Sequence, residues 1–177
     1  MIRLRMSAAL VATLAIGCAG QDESSAVGAA ESISAPVYAV DAANFRAHLH
    51  GRDEVPANDS RAQGQATFQL SADGTELRFK LNVANIVDVR QAHIHRAPAG
   101  VNGGIVVWLY PDAPPPVLIP GRTQGTLGEG VITDAEVIGS LAGTGVAGLL
   151  AELRAGNAYV NVHTVLLPGG EVRGQVH

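Results

Sequence analysis

Residues 64–83 read GQATFQLSADGTELRFKLNV. Phe68 and Leu70 share one parity, and so do Leu77, Phe79, Leu81 and Val83, with mostly polar residues between them. Successive side chains of a strand point to opposite faces, so this period-two pattern buries one face and wets the other. Between the two runs stands Ser71-Ala72-Asp73-Gly74-Thr75, whose Asp-Gly pair marks a tight turn. The stretch is a β-hairpin with one buried face.

The same period appears on either side of it. Upstream, Phe45, Ala47 and Leu49 alternate with Arg46, His48 and His50 up to Gly51, which predicts a half-buried strand followed by the loop 52–64. Downstream, Ala92-His93-Ile94-His95 reads as a short strand and residues 104–110 as a longer, mostly buried one. The segment PDAPPPVLIPG (111–121) lacks the backbone donors a sheet interior needs and is expected as a surface loop. Thr133-x-x-Glu136 is a capping box, and with Val137, Ile138 and Leu141 it predicts a short helix. A second helix is expected over Val146–Arg154, with Gly156 as its stop. Two last strands, Ala158–Thr164 and Glu171–Val176, flank VLLPGG. The expected fold is mainly β, a Greek-key-like antiparallel β-sandwich with one or two short helices before the last two strands. AHLH at Ala47 and AHIH at Ala92 are neighbouring strands or a coincidence.

Composition agrees. A chain of 177 residues with 47% apolar content holds one domain with a sizeable core, and 21 Gly with 9 Pro suit many strands joined by tight turns. Charged residues make up 16%, the net charge is -4 and Lys and Arg do not cluster, so nucleic acid is not an expected partner.

The N-terminus stands apart. Met1-Ile2-Arg3-Leu4-Arg5 is a basic start, and residues 6–16 are apolar or small over a length too short to span a bilayer. Leu14-Ala15-Ile16-Gly17-Cys18 resembles a lipobox, with Leu14 one place earlier than the usual Leu and Ala15 in its position. Cys18 is the only cysteine, so the folded part has no internal disulfide, and the two readings of Cys18 are lipidation or loss with a cleaved signal peptide. The expected organisation is a lipoprotein-type signal over 1–18, a flexible Ala/Ser/Gly tether over 19–43, and a domain over 44–177. Such a protein is exported and held in the membrane by its lipid, or secreted. Ala19 after the cysteine fits outer-membrane sorting. Fully extended at about 3.3 Å per residue, the tether reaches on the order of 80 Å.

The candidate metal-ligating residues lie on two strands. His93 and His95 share one side of a strand while Ile94 takes the other, and Tyr159, Asn161 and His163 likewise oppose Val160 and Val162. With the aliphatics in the core, these polar side chains are expected to face outward. His-x-His suits Zn or Cu, and His163 would complete a three-imidazole set if the two strands are adjacent. A solvated polar face is the bland alternative. His48, His50 and His177 read as surface or terminal residues. No acid in these strands orients the imidazoles; Glu54 and Glu171 are the acids placed to reach them from a loop.

Four motifs now stand in order: Glu54-Val55-Pro56; His93-Ile94-His95 with Gly100-x-Asn102-Gly103; Tyr159-Val160-Asn161-Val162-His163-Thr164; and Pro168-Gly169-Gly170-Glu171-Val172-Arg173-Gly174-Gln175. Together, over residues 44–176, they resemble the CHRD domain, the chordin-type domain frequent in bacterial exported proteins. That resemblance implies a β-rich extracytoplasmic module without an established catalytic role, a binding or structural unit contacting an envelope protein or glycan. It marks Glu54, Asn102, Asn161, Glu171 and Arg173 as family-motif residues. Glu171 and Arg173 share a parity and are expected to pair with each other or with the polar face. A fainter similarity, AHIHRAPAGVNGG to the His-x-His strand of copper/zinc superoxide dismutases, implies the alternative of a metal enzyme using His93, His95 and His163. The chain departs from that pattern in lacking a cysteine pair, a further histidine cluster after Gly103 and a metal-binding Asp there.

Overall fold

The hairpin forms in the computed structural model, which describes residues 44–177. The expected signal segment with Cys18 and the expected tether lie outside the described residues. Strands β2 (Gln63–Leu70) and β3 (Leu77–Arg96) pair antiparallel from Gln63↔Ala84 to Leu70↔Leu77. Asp73 makes the turn: its Oδ1 accepts from the Ser71 hydroxyl at 2.6 Å and from the Thr75 backbone N–H at 3.1 Å.

β1 (Asn44–His50), β4 (Gly104–Tyr110), β5 (Ile119–Ile132), β6 (Ala158–Thr164) and β7 (Val172–Gln175) complete one antiparallel sheet of order β2-β1-β7-β6-β3-β4, with β5 on β3. Because β2 also pairs with β3, the path returns on itself and the sheet closes like a barrel. The mainly-β, antiparallel expectation holds. Phe45, Phe68 and Phe79 sit directly opposite one another across β1, β2 and β3 and are buried, together with Leu49, Leu77 and Leu81. Burial of each such side chain contributes about 1.5–3 kcal/mol.

Three differences from the sequence reading have physical causes. The strands expected around Leu77–Val83 and Ala92–His95 are one strand, β3, bent between them where Asn85 (φ 57°) and Asp88 (φ 54°) take left-handed backbone. Asn and Asp tolerate that region, and both side chains are used: Gly121 N–H donates to Asp88 Oδ1 at 2.6 Å, and Arg122 donates to Asn85 Oδ1 at 3.1 Å. β5 was not expected beyond the proline segment, because most of its side chains are exposed and it therefore carries no alternating apolar signal. The capping box at Thr133 forms, but on a single 3-10 turn, Asp134–Glu136, since Val137 already returns to extended backbone. AHLH and AHIH are not paired: β1 pairs with β2 and β7.

The expected second helix is α1 (Gly145–Arg154), which buries Val146, Leu149, Leu150 and Leu153. Asp134 Oδ1 accepts from the Val146 N–H at 2.7 Å and satisfies its first turn. Arg96 ties the helix to the end of β3 through Glu152 at 2.8 Å. Among the described residues no helix is long and apolar enough to cross a membrane. The His177 backbone exchanges two hydrogen bonds with Arg46.

Candidate metal centre

β6 lies beside the second half of β3, in the register Gln91↔His163, His93↔Asn161 and His95↔Tyr159. Residues opposite in an antiparallel pair share a face, so His93, His95, Tyr159, Asn161 and His163 all project to one side. The expected juxtaposition is therefore present. One ring nitrogen from each of His93, His95 and His163 lies within 4.8 Å of the others.

The expected orientation toward solvent is not. His93 is 0% exposed and His95 and His163 are 7% each, and every residue of β6 is buried. Three segments distant in sequence cover this polar face. The loop 97–103 is fastened by Gly103 N–H donating to the Tyr159 hydroxyl at 3.2 Å. Asn102 links that loop to the Glu54-Val55-Pro56 segment by donating to the Val55 carbonyl at 2.7 Å. The turn after β6 brings the Pro168 carbonyl to His163. Period two told that these side chains oppose the aliphatic core; it carried no record of what lies over them.

The covering loops also orient the rings. His95 Nδ1 meets the Gly103 carbonyl at 3.0 Å and His163 Nδ1 meets the Pro168 carbonyl at 3.0 Å. A carbonyl only accepts, so both Nδ1 atoms carry the proton and both Nε2 atoms carry a lone pair. His163 Nε2 lies 3.2 Å from His93 Nδ1, which must then be the donor, leaving the lone pair on His93 Nε2. The buried Nε2 atoms of His93 and His95 have no hydrogen-bond partner. Leaving a buried polar atom unsatisfied costs about 1–3 kcal/mol.

Carbonyl acceptors thus take the place of the carboxylates considered from the sequence. Glu171 Oε1 accepts from the Ser60 hydroxyl at 2.7 Å, away from the rings. Nor does Glu171 pair with Arg173, whose guanidinium donates to Asn102 Oδ1 at 3.1 Å and to the Val101 carbonyl at 2.8 Å. Arg173 is 2% exposed and lies 3.5 Å over the Tyr159 ring, and Tyr159 stacks on His95 at 4.9 Å and 7°. On the other flank, Trp108, opposite His93 in the β3–β4 register, meets its ring edge-on at 4.3 Å. Neither aromatic was singled out as part of a site from the sequence. The signal was there only once the register placed each beside a histidine.

Electrostatics keeps the imidazoles neutral. Burial, followed by repulsion from His163 and His95, pushes His93 down to about 3, and burial pushes His163 down to about 4. His95 is also lowered, chiefly by burial, against the opposing pull of its bond to Gly103. Glu54 is raised to about 7 by burial, partly offset by Arg173 and Asn161. Gly170 makes room for this contact: a Cβ there would run into the Glu54 carboxyl and the Asn161 amide. Gly103 has a comparable role, because a Cβ would meet the Arg96 carbonyl and lift the loop that holds His95.

Three neutral imidazoles with converging nitrogens form a donor set for a transition metal. Metal–nitrogen bonds of about 2.0–2.1 Å in tetrahedral geometry place nitrogens about 3.3 Å apart. One nitrogen of each ring lies within 4.8 Å of the others, so binding needs a contraction of the cluster in which the His93 Nδ1–H···Nε2 His163 hydrogen bond is given up.

The fold and the site define a closed antiparallel β domain whose long bent strand carries a loop-covered cluster of three histidines. The CHRD domain matches residues 45–176, and the chain belongs to the CHRD domain family. The five family-motif residues converge here: Asn102 joins Arg173 to the Glu54 segment, Asn161 lies between Glu54 and His95, and Glu171 anchors β7 to β6 by its backbone N–H. Compared with curated proteins and with solved structures, the chain finds no significant match.

Proposed function

We propose that this CHRD domain is a non-catalytic binding module of the cell envelope, and that its ligand is a transition-metal ion held by His93, His95 and His163. The observation that carries the reading is the pair of partnerless buried lone pairs beside a third imidazole whose tautomer is set by a backbone carbonyl. Retaining such atoms without a partner is costly, and a Lewis acid is the partner that three lone pairs share. The lipobox-like Cys18 with its following residues supports export and attachment to the membrane through a lipid, which would place the domain on the outer side of the cytoplasmic membrane or on the outer membrane.

Calorimetric titration of the full chain with zinc and copper salts tests the binding function. One ion per chain is expected for the wild type and none for His93→Ala/His95→Ala with retained circular dichroism. Equal heats from the two proteins would remove these residues from any site. Incorporation of a palmitate analogue should vanish in Cys18→Ser, and persistent labelling would defeat the anchor.

A further inference from the structure

The charge around the three histidines is as informative as their spacing. The donor set is uncharged, and among the described residues no carboxylate or thiolate stands with the three imidazoles. All three rings are nine-tenths buried or more, so any ion there keeps its full charge in a poorly polarisable surrounding. The cost of burying an ion grows with the square of its charge, so a monovalent ion bears about a quarter of the penalty of a divalent one.

A fixed positive charge adds to this. The Arg173 guanidinium is buried over Tyr159, Tyr159 is stacked on His95, and the guanidinium's hydrogen bonds go to neutral acceptors, Asn102 Oδ1 and the carbonyls of Val101 and Pro98. Glu54 lies near Arg173 and cancels part of its charge when ionised; the remaining positive charge, one ring removed from a metal ligand, repels a divalent ion twice as strongly as a monovalent one. Coordination number points the same way. Zinc in protein sites takes four ligands and divalent copper prefers tetragonal surroundings, whereas monovalent copper is content with three. The exposed area of His93 Nε2 and of His95 Nε2 is below 1 Å², which leaves little access for solvent as a fourth ligand.

We propose, resting on the metal-site reading above, that the ion the three imidazoles take is monovalent copper. The domain then acts as a carrier or reservoir for copper(I), and the trigonal nitrogen set discriminates against zinc through charge and coordination number. Sulfur takes no part. The chain's one cysteine is Cys18 and its two methionines are Met1 and Met6, all before residue 44.

The test uses the full chain carrying Cys18→Ser, so that the thiol does not compete. Under anaerobic conditions it is titrated against the copper(I)–bicinchoninate complex, and separately with zinc against 4-(2-pyridylazo)resorcinol. One copper(I) per chain is expected, bound more tightly than zinc. His95→Gln and His163→Gln should each abolish that preference. X-ray absorption of the copper(I)-loaded protein should show three nitrogen donors and no sulfur, a readout that does not depend on the variants folding. Zinc bound as tightly as copper(I), and lost in the same variants, would overturn the copper proposal while leaving the metal site standing. Retention of neither ion would overturn both. Copper(I) held equally well by folded histidine variants, or a sulfur donor in the absorption spectrum, would also refute it.

Discussion

The two halves of β3 present the same alternating pattern and meet opposite fates. In the first half, Leu77, Phe79, Leu81 and Val83 are buried while Arg78 and Lys80 face solvent. In the second, Ile94 is buried on one side and His93 and His95 are buried on the other. Period two distinguishes the faces of a strand; whether the second face is wet depends on loops that arrive from elsewhere in the chain. Here they arrive from residues 51–56, 97–103 and 167–171, and they bring backbone carbonyls that fix the imidazole tautomers.

The comparison is sharpest in stability. Leu81→Ala, in the solvent-backed half, leaves a cavity in a fully buried position and should lower unfolding stability by about 2–5 kcal/mol in a urea titration. Its neighbour Lys80 makes only an exposed ion pair with Glu129 at 3.1 Å, so Lys80→Ala should cost about 1 kcal/mol or less. Equal losses would mean that this half is not one-sided.

Gly103→Ala strikes the covered half. The added methyl collides with the Arg96 carbonyl and displaces the loop, with an expected loss of about 1–3 kcal/mol. Since that loop also orients His95, metal affinity should fall by about 10–100-fold, the usual cost of losing a partner behind a ligand. Unchanged affinity would show that the carbonyl does not position the ring.

Acid separates the halves in another way. His93, with its value near 3, and His163, near 4, lie below the ordinary 6.5, so the unfolded chain takes up protons first. Their contribution to stability is complete above pH 6.5 and is lost as the pH falls through the folded-state values. Glu54, raised from 4.5 to about 7, has the opposite sign: its contribution is present below pH 4.5 and is lost as the pH rises through 7. Urea midpoints of the metal-free protein should fall from pH 6.5 toward pH 4, and Glu54→Gln, which removes the opposing contribution between pH 4.5 and 7, should steepen that fall. A wild-type profile level from pH 6.5 to pH 4 would contradict neutral buried imidazoles.

The smallest effect is expected from His93→Leu in the metal-free protein. It removes the partnerless His93 Nε2 but leaves His163 Nε2 without its donor, two opposing changes, so stability should change by less than about 1 kcal/mol while metal uptake disappears. A loss as large as that of Leu81→Ala would assign His93 to the core.

Much of this was legible in the residues. The strands flanking turn residues such as Asp73-Gly74 are open to reading by alternation because one face is buried and the other wet, whereas β5 is too exposed to alternate and left no such signal. The three histidines were legible as a set because i and i+2 share a face and the family motifs stand in order. Their burial was not, since it depends on Gly103 and Pro168 presenting carbonyls, and a carbonyl leaves no mark in a sequence. Arg173 was legible as a motif residue; its place over Tyr159 needed the β6–β7 register Asn161↔Arg173 and Tyr159↔Gln175.

The most direct test is long-range proton–nitrogen NMR of the histidine rings in the full chain, with and without one equivalent of a diamagnetic d10 ion. The account predicts that His93 and His163 stay neutral down to pH 5, that His95 titrates below the ordinary imidazole value, that His95 and His163 hold their protons on Nδ1, and that the ion shifts these three residues while leaving His48, His50 and His177 unmoved. Rings titrating near pH 6.5, or an ion that perturbs only the other three histidines, would contradict it.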